Sequence, residues 1–125
     1  MFHNCYFSFD ELTHTDTGLP NIPKSWDVIG NLAHLSYVLS KIRDKYGSPI
    51  IVNSGYRTPS VNSAVKGSEN SYHLQGRAAD IRPNYYPACD YDVNLQHLID
   101  VVSSLKDELD LKEFIVYPTF IHVAY

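Results

Sequence analysis

Ser71-Tyr72-His73-Leu74-Gln75-Gly76-Arg77-Ala78-Ala79-Asp80-Ile81-Arg82 passes from a polar loop into a short strand that Pro83 stops. Along the strand, alternation puts Ala79 and Ile81 on one face and Ala78 with Asp80 on the other. The C-terminal stretch Phe120-Ile121-His122-Val123-Ala124-Tyr125 alternates in the same way. Ile121, Val123 and Tyr125 share one face, and His122 lies with Phe120 and Ala124 on the opposite side. If the two strands are neighbours, Asp80 and His122 face each other, with the small Ala78 and Ala124 leaving room beside them.

The flanking segments supply cover for the apolar faces. Ser25 is a good N-cap, and Val28, Leu32, Leu35, Leu39, Ile42 and Tyr46 then recur at steps of four and three. Gly47 and Ser48-Pro49 supply the stop, so residues 26–46 read as an amphipathic helix. Ile50-Ile51-Val52 is a short buried strand, ending in the polar turn Asn53-Ser54-Gly55-Tyr56-Arg57. Thr58-Pro59 opens a short helix that runs to about Lys66 and is closed by Gly67. Residues 68–76 read as a polar loop and 83–91 as an irregular, tyrosine-rich excursion. Asp92 caps a third helix with Leu95, Leu98, Ile99, Val102 and Leu105 on its apolar face. Residues 114–117 and 120–125 are two strands joined near Pro118-Thr119. Residues 13–23 form a surface loop after a short turn around Phe9 to Leu12. The repeated switch of period predicts an α+β fold: one small antiparallel sheet with three main helices packed on it, in a single domain over residues 1–125.

Composition narrows the function. The 125-residue chain carries a net charge of −4, which argues against nucleic-acid binding through basic residues. Its 44% hydrophobic content excludes disorder as the main state. No apolar run reaches the roughly 18 residues a membrane span requires. The N-terminal MFHNCYFSFDEL has neither the basic flank nor the apolar core of a signal peptide, so synthesis in the cytoplasm is expected. Cys5 and Cys89 read as free thiols, since two cysteines make no disulfide framework and no CxxC is present.

Six histidines punctuate the chain. His3, His14, His34 and His97 read as structural or exposed, whereas His73 and His122 share a neighbourhood with Asp80. Two imidazoles and one carboxylate suit zinc, which takes nitrogen and oxygen ligands at about 2.0–2.2 Å and keeps an open position in catalytic sites. Asp80 could equally be an ion-pair partner for Arg77 or Arg82, and spacing alone leaves both readings open.

Three ordered motifs add to this. Ser54-Gly55-Tyr56-Arg57-Thr58-Pro59 with Asn62, then Ser71 to Asp80, then Phe120-Ile121-His122-Val123 resemble the zinc D-alanyl-D-alanine carboxypeptidase family. The family pattern is SGYR, SxHxxGxAxD and a late histidine in a WxHV strand. It includes bacterial carboxypeptidases, vancomycin-resistance dipeptidases and phage endolysins, and shares a fold with the hedgehog signalling domain. FSFDELTHT also resembles small phage and prophage members. The resemblance implies one zinc per chain held by His73, Asp80 and His122. It also implies a substrate- or oxyanion-directed role for Arg57, for which a fork onto carbonyls of its own turn is the alternative. Ser71 and Gln75 could orient the ligand loop. Tyr72 could be a substrate-facing ring or a lid on the core.

The sequence departs from the family where peptide-hydrolysing members carry an acidic general base shortly before the late histidine. None of the six residues before His122 is acidic, and Tyr117 stands where many relatives have glutamate. Glu113 is the nearest upstream acid, and a tight hairpin would set it near Tyr125 as an exposed strand-start carboxylate rather than beside His122. Tyr117 or His97 could assist instead, and the base stays unassigned. The expected function is a zinc metallopeptidase cutting peptidoglycan stem peptides, either a D,D-carboxypeptidase or an endolysin-like endopeptidase. It would act as a monomer that reaches the wall by lysis or another export route. The alternative is a zinc-retaining binding module with weak or no hydrolysis.

Overall fold

A computed structural model describes residues 6–84 and 90–125. Cys5, Cys89 and the centre of the tyrosine-rich excursion lie outside the described residues. The elements run α1 (Phe9–Leu12), α2 (Trp26–Tyr46), β1 (Ile50–Ser54), α3 (Pro59–Ala64), a 3-10 turn (Tyr72–Gln75), β2 (Ala78–Pro83), α4 (Tyr91–Leu105), β3 (Glu113–Val116) and β4 (Ile121–Ala124). The strands form one antiparallel sheet in the order β1-β2-β4-β3. This is the α+β fold that the changing periodicity predicts.

Local chemistry explains the boundaries. The Ser25 side chain accepts from the Asp27 N–H at the start of α2, and Gly47 ends it at φ 84° with its N–H donated to the Arg43 carbonyl. Ser8 and Glu11 form a reciprocal capping box that turns the expected Phe9 to Leu12 bend into a one-turn helix. Helix α4, the expected third helix, begins at Tyr91, so Asp92 sits in its first turn rather than at its cap. Asn62 to Ala64 end α3 earlier than the expected Lys66. The left-handed residue there is Lys66 (φ 59°) rather than Gly67.

The core lies on one face of the sheet. Ala79 and Ile81 from β2 and Ile121 and Val123 from β4 are fully buried beneath α2 and α4. Leu32, Leu35, Leu39 and Ile42 form the buried stripe of α2, with Val38 broadening it, and Leu98 and Val102 come from α4. Burying a leucine or isoleucine side chain stabilises the fold by about 1.5–3 kcal/mol, so this layer is what holds β2 and β4 in register. The opposite face carries the polar residues of the same two strands. Asp80 is paired directly with His122, and Ala78 with Ala124.

Candidate metal centre

Each polar residue of that second face is positioned by its own element. Asp80 and His122 are cross-strand partners at the middle of β2 and β4. His73 comes from the 3-10 turn, which lies within the expected polar loop because four residues carry no period. Ser71 caps the turn, its hydroxyl accepting from the His73 N–H at 3.1 Å, and Gly76 ends it at φ 73°. The turn thereby folds back so that the His73 ring meets the sheet.

The three side chains converge on one oxygen. His73 Nε2 lies 3.3 Å and His122 Nδ1 2.9 Å from Asp80 Oδ1. One ligand atom from each residue falls within 4.8 Å of the others, and all three residues are buried. The outer nitrogens are committed elsewhere. His73 Nδ1 donates to the Gly55 carbonyl at 2.6 Å, and His122 Nε2 lies 2.8 Å from Glu113 Oε1. A carbonyl and an ionised carboxylate can only accept, so both outer nitrogens carry the proton. In neutral imidazoles the inner nitrogens then present lone pairs to an anionic oxygen. Three acceptors around one buried point call for positive charge among them, either a proton carried by a ring or a metal ion, and two imidazoles with one carboxylate suit a divalent transition metal such as zinc. His73, Asp80 and His122 could hold such a metal.

The electrostatics agree. Burial pushes the Asp80 carboxyl up, but hydrogen bonds and charge from His122 and His73 outweigh it and hold the group well below the usual carboxylate range. Burial pushes His122 down, yet Asp80 and Glu113 on its two nitrogens leave it raised overall. The pocket therefore favours positive charge between these groups.

Arg57 completes the polar cluster. Its Nε donates to Ser54 Oγ at 3.0 Å, one terminal nitrogen to Asn62 Oδ1 at 3.3 Å and the other to Asp80 Oδ2 at 3.2 Å. The fork therefore grips side chains rather than the carbonyls of its own turn. Three of its five N–H groups are used, which leaves one on each terminal nitrogen. Burial lowers its pKa, against the raising pull of Asp80 and Tyr117. Ser54 and Asn62, to which the sequence assigned no role, are the residues that aim this guanidinium. Asn62 also donates to the Ser68 carbonyl at 2.8 Å. Gly67 makes the arrangement possible: a Cβ there would stand 2.0 Å from Asn62 Oδ1 and 2.9 Å from an Arg57 nitrogen. Behind Arg57, the buried Asn21 donates to the carbonyls of Thr13 and Tyr56 and accepts from the Thr58 N–H, tying the 13–23 loop to the turn.

The cluster forms the floor of a cavity of about 420 Å³. Lys66, Ser68, Asn70 and Ser71 also line it, as do Ile115, Tyr117 and Phe120. Tyr117 stacks on Phe120 with ring centroids 4.7 Å apart.

Glu113 corrects the sequence-based expectation. It is in register with Ala124, next to the expected Tyr125, but its carboxylate reaches diagonally across to His122. Glu113, Ala124 and His122 share a face, and the methyl group of Ala124 leaves the diagonal open to a long side chain. Tyr72 and Gln75 fall outside the cavity. The Tyr72 ring packs against the Arg77 guanidinium, 5.1 Å away, and Gln75 Oε1 accepts from Arg77 at 3.4 Å. His97 packs on Tyr46 and does not line the cavity. Arg77 and Arg82 leave Asp80 to Arg57: Arg77 lies between the Tyr72 and Tyr125 rings, and Arg82 bonds Asn53.

No curated protein matches the chain. The Peptidase M15 family model matches residues 5–124. With a His-Asp-His group at the junction of its three motifs, the chain belongs to the M15 zinc D-alanyl-D-alanine carboxypeptidase-like peptidases.

Proposed function

We propose that the protein is a zinc metallopeptidase that hydrolyses a peptide bond in peptidoglycan stem peptides. The observation that supports this most is the meeting of His73 Nε2, Asp80 Oδ1 and His122 Nδ1 at the floor of an open cavity, with both outer histidine nitrogens already engaged. Zinc in such a site supplies Lewis-acid polarisation of the scissile carbonyl and a water acidic enough to react near neutral pH. Arg57, with two N–H groups to spare beside Asp80, steadies a substrate carboxylate or the developing oxyanion. Lys66 adds a second cation to the cavity wall, which suits an acidic or carboxylate-terminated peptide. The stacked pair Tyr117 and Phe120 offers an apolar surface to the substrate's other side.

One observation favours a second reading, a zinc-retaining module with weak hydrolysis. The only carboxylates lining the cavity among the described residues, Asp80 and Glu113, both face His122. Mass spectrometry of peptidoglycan fragments incubated with zinc-loaded protein separates the two, with His122→Ala as control. New peptide ends seen only with the unmutated protein support hydrolysis, and their masses distinguish loss of a terminal D-alanine from an internal cut. If no ends form across several wall chemistries while zinc stays bound, the binding module stands.

A further inference from the structure

We infer that Glu113 is a positioning residue for the metal centre, not its general base. The inference rests on the zinc reading of the site and adds a role for a side chain outside the ligand set. Glu113 Oε1 accepts from His122 Nε2 at 2.8 Å, while the other ring nitrogen, Nδ1, points to Asp80 at 2.9 Å. The two nitrogens lie on opposite sides of the imidazole, so the carboxylate sits behind the ring as seen from the ligand cluster. From there it fixes the proton on Nε2 and leaves Nδ1 free as a donor to metal, the role that carboxylates often play behind metal-ligating histidines.

The same logic operates at His73, where a backbone carbonyl does the work. Gly55 O takes the Nδ1 proton at 2.6 Å and leaves Nε2 facing Asp80. Gly55 is held close to α1, with its hypothetical Cβ 2.4 Å from the Leu12 carbonyl, and the Tyr56 N–H donates to that carbonyl at 2.8 Å. One histidine is thus oriented by a rigid turn and the other by a side chain at the start of β3. Glu113 Oε1 is committed to His122 on the side of the ring away from the ligand cluster, so Glu113 acts on the metal centre through His122.

The test compares Glu113→Ala and Glu113→Gln with the unmutated protein. Zinc affinity is measured by competition with a chromophoric chelator, and the His122 ring nitrogens are observed by ¹H–¹⁵N NMR of the zinc-loaded protein. The inference predicts zinc on Nδ1 and a proton on Nε2 in the unmutated protein. It also predicts an affinity about 10–100-fold weaker for Glu113→Ala, largely recovered by Glu113→Gln, whose amide oxygen can still accept from Nε2. Circular dichroism checks that both variants fold. Equal affinity in all three proteins, with hydrolysis abolished by Glu113→Gln, would overturn the inference and make Glu113 the proton carrier. Zinc on Nε2 would overturn it as well. An unmutated protein that binds no zinc would sink the metallopeptidase reading together with this one, whereas zinc-dependent hydrolysis with a zinc affinity indifferent to both substitutions would sink this one alone.

Discussion

Asp80 and His122 sit directly opposite each other on β2 and β4, with Asp80 Oδ1 2.9 Å from His122 Nδ1. The apolar residues flanking them, Ala79 and Ile81 on one strand and Ile121 and Val123 on the other, point the other way into the core. The centre is therefore built on the two inner strands of the sheet, and slipping the register by one residue would send both functional groups to the wrong face. That coupling between core and site underlies the predictions below.

Asp80→Asn removes the charge that Arg57, His73 and His122 share, at nearly constant volume. Breaking a buried ion pair from one side typically costs about 3–5 kcal/mol, and the partial exposure of this cluster puts the expected loss near the lower bound. Urea unfolding in the presence of chelator should show the metal-free variant less stable by about 3 kcal/mol. Stability equal to that of the unmutated protein would mean that the cluster is not coupled in this way.

Chelation of the unmutated protein should lower its melting temperature reversibly. A ligand that binds only the folded state adds about 4 kcal/mol at a thousandfold excess over its Kd. Differential scanning fluorimetry with chelator, and then with zinc restored, should show the loss and its recovery. An unchanged midpoint would argue against a metal site coupled to the fold.

Gly67→Ala should disturb Arg57 without touching a ligand. The added methyl group would press on Asn62 Oδ1, which accepts from Arg57. Overpacking of this kind costs about 1–3 kcal/mol, readable by chemical denaturation. Turnover should fall while zinc stoichiometry stays at that of the unmutated protein. If both stability and turnover are unaffected, Asn62 does not aim the guanidinium.

Tyr125 gives the fold a pH signature at its last residue. Its hydroxyl donates to the Asn31 carbonyl at 2.7 Å, and burial pushes its pKa up to about 12. A raised value favours the neutral form in the fold, so its contribution is whole below the ordinary tyrosine value near 10 and lost as pH rises through about 12. Tyr125→Phe loses the hydrogen bond, about 1 kcal/mol at pH 8. The stability gap between the two proteins should narrow as pH climbs from 10 to 12. A gap that stays constant over that interval would refute the assignment.

Much of this architecture is legible in the sequence because it rests on short-range patterns. The three-and-four spacing marks α2, and alternation puts Asp80 and His122 each opposite the apolar face of its strand, which brings them together once β2 and β4 pair. The 3-10 turn holding His73 is not legible, since a single turn shows no periodicity and is set by Ser71 and Gly76. The engagement of Glu113 with His122 is hidden for another reason. Register arithmetic sets Glu113 near Tyr125, one residue from its observed partner Ala124, but the reach of a long side chain past a small neighbour depends on three dimensions. Ser54 and Asn62 become identifiable as partners of Arg57 only when the turn and α3 fold around it.

The most direct test of the central claim restores zinc in steps to chelated protein while the cleavage of peptidoglycan fragments is followed. The account predicts no turnover without metal, a rise in proportion to zinc added, and saturation at one zinc per chain, all abolished by His122→Ala. Turnover in the metal-free protein, or none with one zinc bound per chain, would contradict it.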